Sequence, residues 1–377
     1  MTLPINPEAF APGDYIREEL EARGWSQLDL AEILGRPAQA VNEIIAGKRS
    51  ITPDTAKALG EAFGTSAQVW MNLDSAYQLA QLSDQSNVVA RKAKLYEIAP
   101  LKDIQKRGWI ETSSSVDILE AQVMKFYGTR TLDEPITLKY AARKSTDYSS
   151  LTPPQLAWLC RARNLAVGVP VATRFSAKTF EVALAELAKL RMEPEEIRHV
   201  PKVLAEAGIR FLIVAPLPHT KVDGVTFWLA DDQPVIALSF RYDRIDWFWH
   251  TLMHEMGHVK KGEGKENPTV DTELVGADAQ SHEDKPESER EADQFAASFL
   301  VSPVELDRFI DRVHPLYSKT KISMFAKRLL VHPGIVVGQL QFRKKIPYAH
   351  SRDLLVSVKK ILTAVALTDG WGEAVWI

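Results

Sequence analysis

Two histidines stand four residues apart in His254-Glu255-Met256-Gly257-His258, within an apolar run that begins at Trp247. On a helix, residues at that spacing share one face, one turn apart. Two imidazoles so placed can hold one tetrahedral Zn²⁺, and Glu255 beside them can accept a proton from water activated at the ion. A third donor is needed. Glu289 opens Glu289-Arg-Glu-Ala-Asp293, followed by the amphipathic run Phe295-Ala-Ala-Ser-Phe-Leu300. It can complete a His₂Glu set with one position left for water. Asp293 falls one turn after Glu289, where a carboxylate can orient a ligating histidine. Alone, this second run also reads as a solvent-facing helix whose acidic start suits the helix dipole. The upstream motif tips the reading towards metal.

These stretches resemble a known family. His254-Glu-Met-Gly-His258, then Glu289 to Pro303 with its Glu-Ala-Asp-x-Phe-Ala-Ala-x-Phe-Leu-Val-x-Pro wording, is similar to the ImmA/IrrE-type metallopeptidases. Pro234-Val-Ile-Ala-Leu-Ser239 resembles the strand that precedes their active helix. The resemblance spans about residues 200–340 and implies zinc ligands at His254, His258 and Glu289, with a general base at Glu255. The family pattern usually has Leu or Ile where Met256 stands, and Asn where Asp293 stands. His250, one turn before His254, is read as supporting the ligands or simply packed. His250 and Tyr242 are, by nearness in sequence, candidates for stabilising an oxyanion.

The elements that position these residues begin at Gly208. Ile209 to Val214, Gly224 to Leu229 and Val235 to Phe240 are β-rich, with Asp231-Asp-Gln-Pro234 as a hairpin-like turn between the last two. The strand before the metal helix is expected at a sheet edge, where a substrate could add as a further strand. Lys260 to Pro286 is polar and reads as an exposed loop, with His282 a surface residue. Ser323 to Leu330 and Ile335 to Phe342 form a helical pair around His332-Pro-Gly334 that should pack beside the active helix. Leu354 to Leu367 predicts a helix, and the tail from Gly370 to Ile377 is apolar enough to dock on a core or a second subunit.

Residues 12–82 predict five short helices. Ser26 is a good N-cap for Gln27 to Leu34, Ala38 to Ala46 follows the Gly35-Arg-Pro37 break, and Thr52-Pro53 starts the fourth. Helix, short turn, helix in a compact unit is helix-turn-helix geometry, although a small bundle that binds only protein has the same pattern. Pro12 to Leu20, Trp25 to Ala31, Ile44 to Pro53 and Phe63 to Leu73 resemble HigA-type antitoxins of the Cro/repressor class. That resemblance implies a DNA-reading third helix. Gln39, Ala40, Asn42 and Glu43 are its outward positions, Gln27 and Arg36 flank it, and Lys48 and Arg49 follow. Gln and Asn suit adenine edges, and Lys and Arg suit phosphate.

Charge complicates the DNA reading. Residues 1–80 carry 6 Lys+Arg against 11 Asp+Glu. Phosphate contacts supply most non-specific affinity, so binding should need a dimer on a two-half-site operator. Residues 81–150 are mildly basic and predict solvated helices. Across all 377 residues the net charge is −3, which points to neither nucleic acid nor membrane. The single cysteine, Cys160, forms no internal disulfide and fits a reducing cytoplasm. The start lacks a secretory pattern, and no run approaches the ~18 apolar residues of a membrane span.

The expected protein is therefore multidomain and mainly α. A helix-turn-helix domain at 1–82 is followed by a helical connecting region at 83–200. An α+β zincin-like peptidase domain at 201–345 and a C-terminal helix with an apolar tail at 346–377 complete the chain. The expected partners are operator DNA and a second copy of the chain, with a repressor, an antitoxin or the chain itself as substrate. The rival expectation is a non-enzymatic antitoxin whose metal-site domain binds a toxin or senses a signal.

Overall fold

The structure, a computed structural model, describes residues 10–81, 86–134, 136, 151–265, 270–272 and 285–370. His282 and the tail from Trp371 lie outside the described residues. The chain divides into two compact units, Met1–Lys92 and Ala93–Ile377.

The first unit holds α1 (Pro12–Arg23), α2 (Gln27–Ile33), α3 (Ala38–Ile45), α4 (Pro53–Phe63) and α5 (Ala67–Gln81). The sequence signals for their starts hold. Ser26 and Asp29 form a reciprocal capping box on α2, and Thr52 caps α4 ahead of Pro53. Ile16, Leu20, Leu30, Val41, Ile44, Leu59, Phe63 and Trp70 close one core. The Trp70 indole donates to Thr65 Oγ1 at 2.8 Å, so its polar edge is satisfied.

α6 (Ser86–Ile98) spans the division. In the second unit, α7 (Leu101–Lys106), α8 (Val116–Tyr127), α9 (Pro153–Ala166), α10 (Ala177–Lys189) and α11 (Val200–Glu206) precede β1 (Arg210–Val214), β2 (Val222–Trp228) and β3 (Pro234–Leu238). α12 (Ile245–Lys261), β4 (Val270–Thr272), α13 (Glu287–Leu300), α14 (Pro303–Val313), α15 (Lys319–Arg328), α16 (Pro333–Phe342), α17 (Lys359–Thr363) and β5 (Leu367–Asp369) follow. The five strands lie in the order β4-β2-β3-β1-β5. β1 is parallel to β3 and β5, while β2 is antiparallel to β3 and β4.

Alternate residues of the central strands enter two different cores. Phe211, Ile213, Ile236 and Leu238 face a core with α10 to α16. Leu212, Val214, Val235 and Ala237 face a second core with residues of α6 to α9. That is why β1 and β3 read as continuous apolar runs: a sheet covered on both faces has no polar side. The helices between residues 93 and 166 thus cover one face of the same sheet whose other face carries α12. Trp158 of α9 anchors that cover, its indole donating to the Val214 carbonyl at 2.9 Å.

Three expectations change. The strand before the active helix, β3, lies inside the sheet between β2 and β1, so it offers no free edge. The polar run after α12 is not all exposed loop, because β4 pairs with β2 and buries Asp271 at 4% exposure. Leu354 to Leu367 is not one helix. It breaks into a 3₁₀ turn at Arg352–Leu354, the five-residue α17, and a segment leading to β5, with Leu355, Val358, Leu362 and Ala366 buried in turn. No described helix is long and apolar enough to cross a membrane.

Candidate metal centre

α12 is buried along nearly its whole length, and His254 and Glu255 have no exposed surface. α13 packs closely against it. Gly257 makes the approach possible, since a Cβ there would lie 3.1 Å from the Ala292 Cα. The contact brings Glu289 and Asp293 of α13 onto the histidine face of α12.

Four donor groups converge: His254, His258, Glu289 and, from β4, Asp271. His254 Nε2 lies 3.1 Å from His258 Nε2, 3.1 Å from a Glu289 oxygen and 3.6 Å from Asp271 Oδ2. His258 Nε2 lies 3.7 Å from Glu289 and 3.8 Å from Asp271. Donors at about 2.0–2.1 Å from a tetrahedral Zn²⁺ stand roughly 3.3 Å apart, and these four groups come close to that spacing, with Glu289 presenting Oε2 to His254 and Oε1 to His258. The other ring nitrogens are taken. His254 Nδ1 faces Asp293 Oδ1 at 2.9 Å, and His258 Nδ1 faces Glu263 Oε2 at 2.5 Å. Carboxylates there favour a proton on each Nδ1 and direct both Nε2 atoms inward, where each can ligate a metal once it gives up any proton of its own. Two facing lone pairs among carboxylates need a cation or protons between them.

The electrostatics agree. Burial opposes charge on His254, but its hydrogen bonds to Asp293 and Glu289 outweigh that and push it up to about 10. Burial and the neighbouring His254 lower His258. Burial also works against Glu289, yet the hydrogen bond from His254 holds it below its ordinary value. Asp293 is held well below the carboxylate range despite burial, by hydrogen bonds from His250 and His254, and Lys285 Nζ donates to it at 2.7 Å. Burial pushes Glu255 up to about 8, with Glu289 and Asp223 adding to the rise and the Thr226 hydroxyl resisting it. Burial and the neighbouring Glu255 and Glu289 raise Asp271 as well. Among the described residues, Glu255 Oε1 and Asp271 Oδ2 are buried with no N–H or hydroxyl donor on them, and the two carboxyl groups face each other. Orphaned carboxylate oxygens beside imidazole lone pairs fit a divalent cation of the zinc type.

Glu255 itself is fixed from β2. Thr226 Oγ1 lies 2.7 Å from its Oε2, and Gly224 leaves the room its Oε1 occupies. Three residues of this centre were missed in sequence: Asp271, Glu263 and Lys285. Glu263, just past the α12 C-cap at Gly262, had a signal in its nearness to His258. Asp271 and Lys285 had none, because strand pairing and the approach of α13 bring them in. His250 sits 3.6 Å from Asp293, with the carboxylate that orients His254. Tyr242 packs against the core beneath the Arg241 guanidinium, 5.0 Å from its ring centre.

In the first unit, Gln27, Gln39, Asn42, Lys48 and Arg49 are exposed, and Arg36, Ala40 and Glu43 are half-buried. Gln39 donates to Glu43 at 3.0 Å, and Arg49 pairs with Glu43 at 3.6 Å. The outward face of α3 is thus polar and held by Glu43.

A family model described as helix-turn-helix matches residues 16–70, and one described as an IrrE N-terminal-like domain matches residues 205–330. Virulence-associated protein I of Dichelobacter nodosus is 43% identical over 72 residues, 19% of this chain and 67% of that protein. The uncharacterized HTH-type transcriptional regulator YddM of Escherichia coli K12 is 33% identical over 70 residues, 19% of this chain and 74% of its own length. The solved Pseudomonas aeruginosa antitoxin HigA with the higBA promoter is 38% identical, covering 25% of this chain and 99% of that one, at a TM-score of 0.20. The chain therefore belongs, through its N-terminal helices, to the XRE-type helix-turn-helix family of DNA-binding regulators, and it joins to them an IrrE/ImmA-like domain of the M78 peptidase family.

Proposed function

We propose that the chain is a cytoplasmic DNA-binding regulator whose second unit carries a zinc-dependent endopeptidase site, cleaving a repressor, an antitoxin or another copy of this chain. The convergence of His254, His258 and Glu289 donor atoms beside Glu255 carries this reading. Zinc held there would polarise a scissile carbonyl and acidify water. Glu255 takes the proton of the attacking water and passes it to the leaving amine, a task suited to a carboxylate whose pKa burial has pushed up. Thr226 holds that carboxylate, and Asp293 and Glu263 fix the two imidazole rings.

For DNA, the exposed Gln39 and Asn42 of α3 are the candidate base readers, with Ala40 and Glu43 beside them. Gln27, Arg36, Lys48 and Arg49 are the candidate backbone contacts. The name of the E. coli relative, a transcriptional regulator, supports that use. The acidic balance of residues 1–80 favours binding as a homodimer.

The peptidase reading is tested by incubating the zinc-loaded chain with itself and with the products of neighbouring genes, followed by mass spectrometry. New peptide termini that vanish with Glu255→Gln are expected. Identical fragments from both forms would refute the assignment. A second reading, a non-enzymatic antitoxin whose metal site senses a signal or binds a toxin, draws support from Asp271, which stands among the donors as a fourth protein group.

A further inference from the structure

The edge of β2 is where an extended peptide could pair with the sheet beside α12, because β2 holds Glu255 through Thr226. In this structure that edge is taken. β4 runs antiparallel to β2, with Asp271 opposite Gly224 and Val270 opposite Val225. Gly224 is also the residue against which Glu255 rests. One short strand thus does two things: it fills the β2 edge, and it carries a carboxylate to the donor cluster. Among the described residues, Asp271 Oδ2 is buried with no N–H or hydroxyl donor on it, the Asp271 carboxyl meets only the carboxyl groups of Glu255 and Glu289 besides the histidines, and Oδ2 lies 3.6 and 3.8 Å from the Nε2 atoms of His254 and His258. Those separations fall in the same range as the ones among His254, His258 and Glu289.

We infer that Asp271 is a fourth ligand supplied by the chain itself, so that β4 acts as an internal substrate mimic and the resting metal site is closed. The inference rests on the metal reading above and adds to it. A catalytic zinc site keeps a position open for water, whereas a four-ligand protein set is closed. A peptide that is to pair with β2 must first displace β4, and the same displacement removes Asp271 from the ion. Strand exchange would then couple substrate entry to opening of the site.

The test uses the full chain loaded with Co²⁺ in place of zinc, with azide as a small probe of an open coordination position. The wild-type visible spectrum should not change on azide titration. Asp271→Asn and Asp271→Ser should give azide-dependent spectra and lose cobalt to a chelator about tenfold faster or more. Azide shifting the wild-type spectrum would overturn the inference without reference to any variant's folding. If His254→Ala abolishes cobalt binding while both Asp271 variants match wild type in spectrum and retention, the fourth ligand is wrong and the three-ligand site stands. Cobalt retained by His254→Ala would instead sink the metal reading, and this inference with it.

Discussion

A Cβ on Gly224 would stand 2.3 Å from Glu255 Oε1. No side chain fits at 224 while Glu255 keeps its place, because the nearest obstacle is the carboxylate itself. Gly224→Ala should therefore displace Glu255 and leave His254, His258 and Glu289 alone. The expected outcome is cleavage reduced by about 100-fold or more, the loss typical of a misplaced acid–base group, with one metal ion per chain retained. Peptide-cleavage rate and metal content, measured on the same preparation, check it.

Glu263 reaches His258 Nδ1 from beyond the end of α12. Removing such a carboxylate typically costs about 10–100-fold in metal affinity. Glu263→Ala should show that loss in a competitive chelator titration. Because Glu263 is part-exposed, the thermal unfolding temperature of the metal-free protein should change little.

The clustering of His254, His258, Glu255 and Glu289 was legible because helical spacing is a local rule: four residues along α12 fix one face, and the acidic start of α13 lies in one short run. Asp271 was not. It comes from three strand residues in a polar stretch, and only pairing with β2, far away in sequence, gives it a role. β3 was recognisable as a strand but not as an interior one, since strand order depends on partners that no local pattern names. The stretch from Leu354 misled for a related reason. Leu355, Val358, Leu362 and Ala366 recur as on one helix face, yet Asp243 accepts hydrogen bonds from the Val358 and Lys359 amides, so only a short helix begins there. In the first unit, caps and breaks are local, and all five helices were readable from them.

Cys160 is fully buried in α9, and burial pushes its thiol up to about 11, with Arg163 resisting only in part. A raised value means that the folded chain keeps a proton the unfolded thiol releases near its ordinary value of 9.0. The thiol therefore costs no stability below that pH, and it increasingly favours unfolding as pH rises from 9 towards 11. The native protein at pH 8 should react with a chromogenic disulfide reagent only as fast as it unfolds. In denaturant, one thiol per chain should react at once.

On the DNA side, Lys48→Ala and Arg49→Ala should weaken binding to all sequences and each flatten the salt dependence by about one unit of slope. Gln39→Ala should mainly relax sequence preference. A salt titration against the promoter of the chain's own gene measures both. The isolated 1–80 fragment should bind far more weakly than the full chain if two copies are required.

The metal centre is tested most directly by the zinc content of the purified protein. One zinc per chain is expected in the wild type and in Glu255→Gln, and little in His254→Ala, His258→Ala or Glu289→Ala. Full occupancy in those three variants, or loss of zinc from Glu255→Gln alone, would contradict the account.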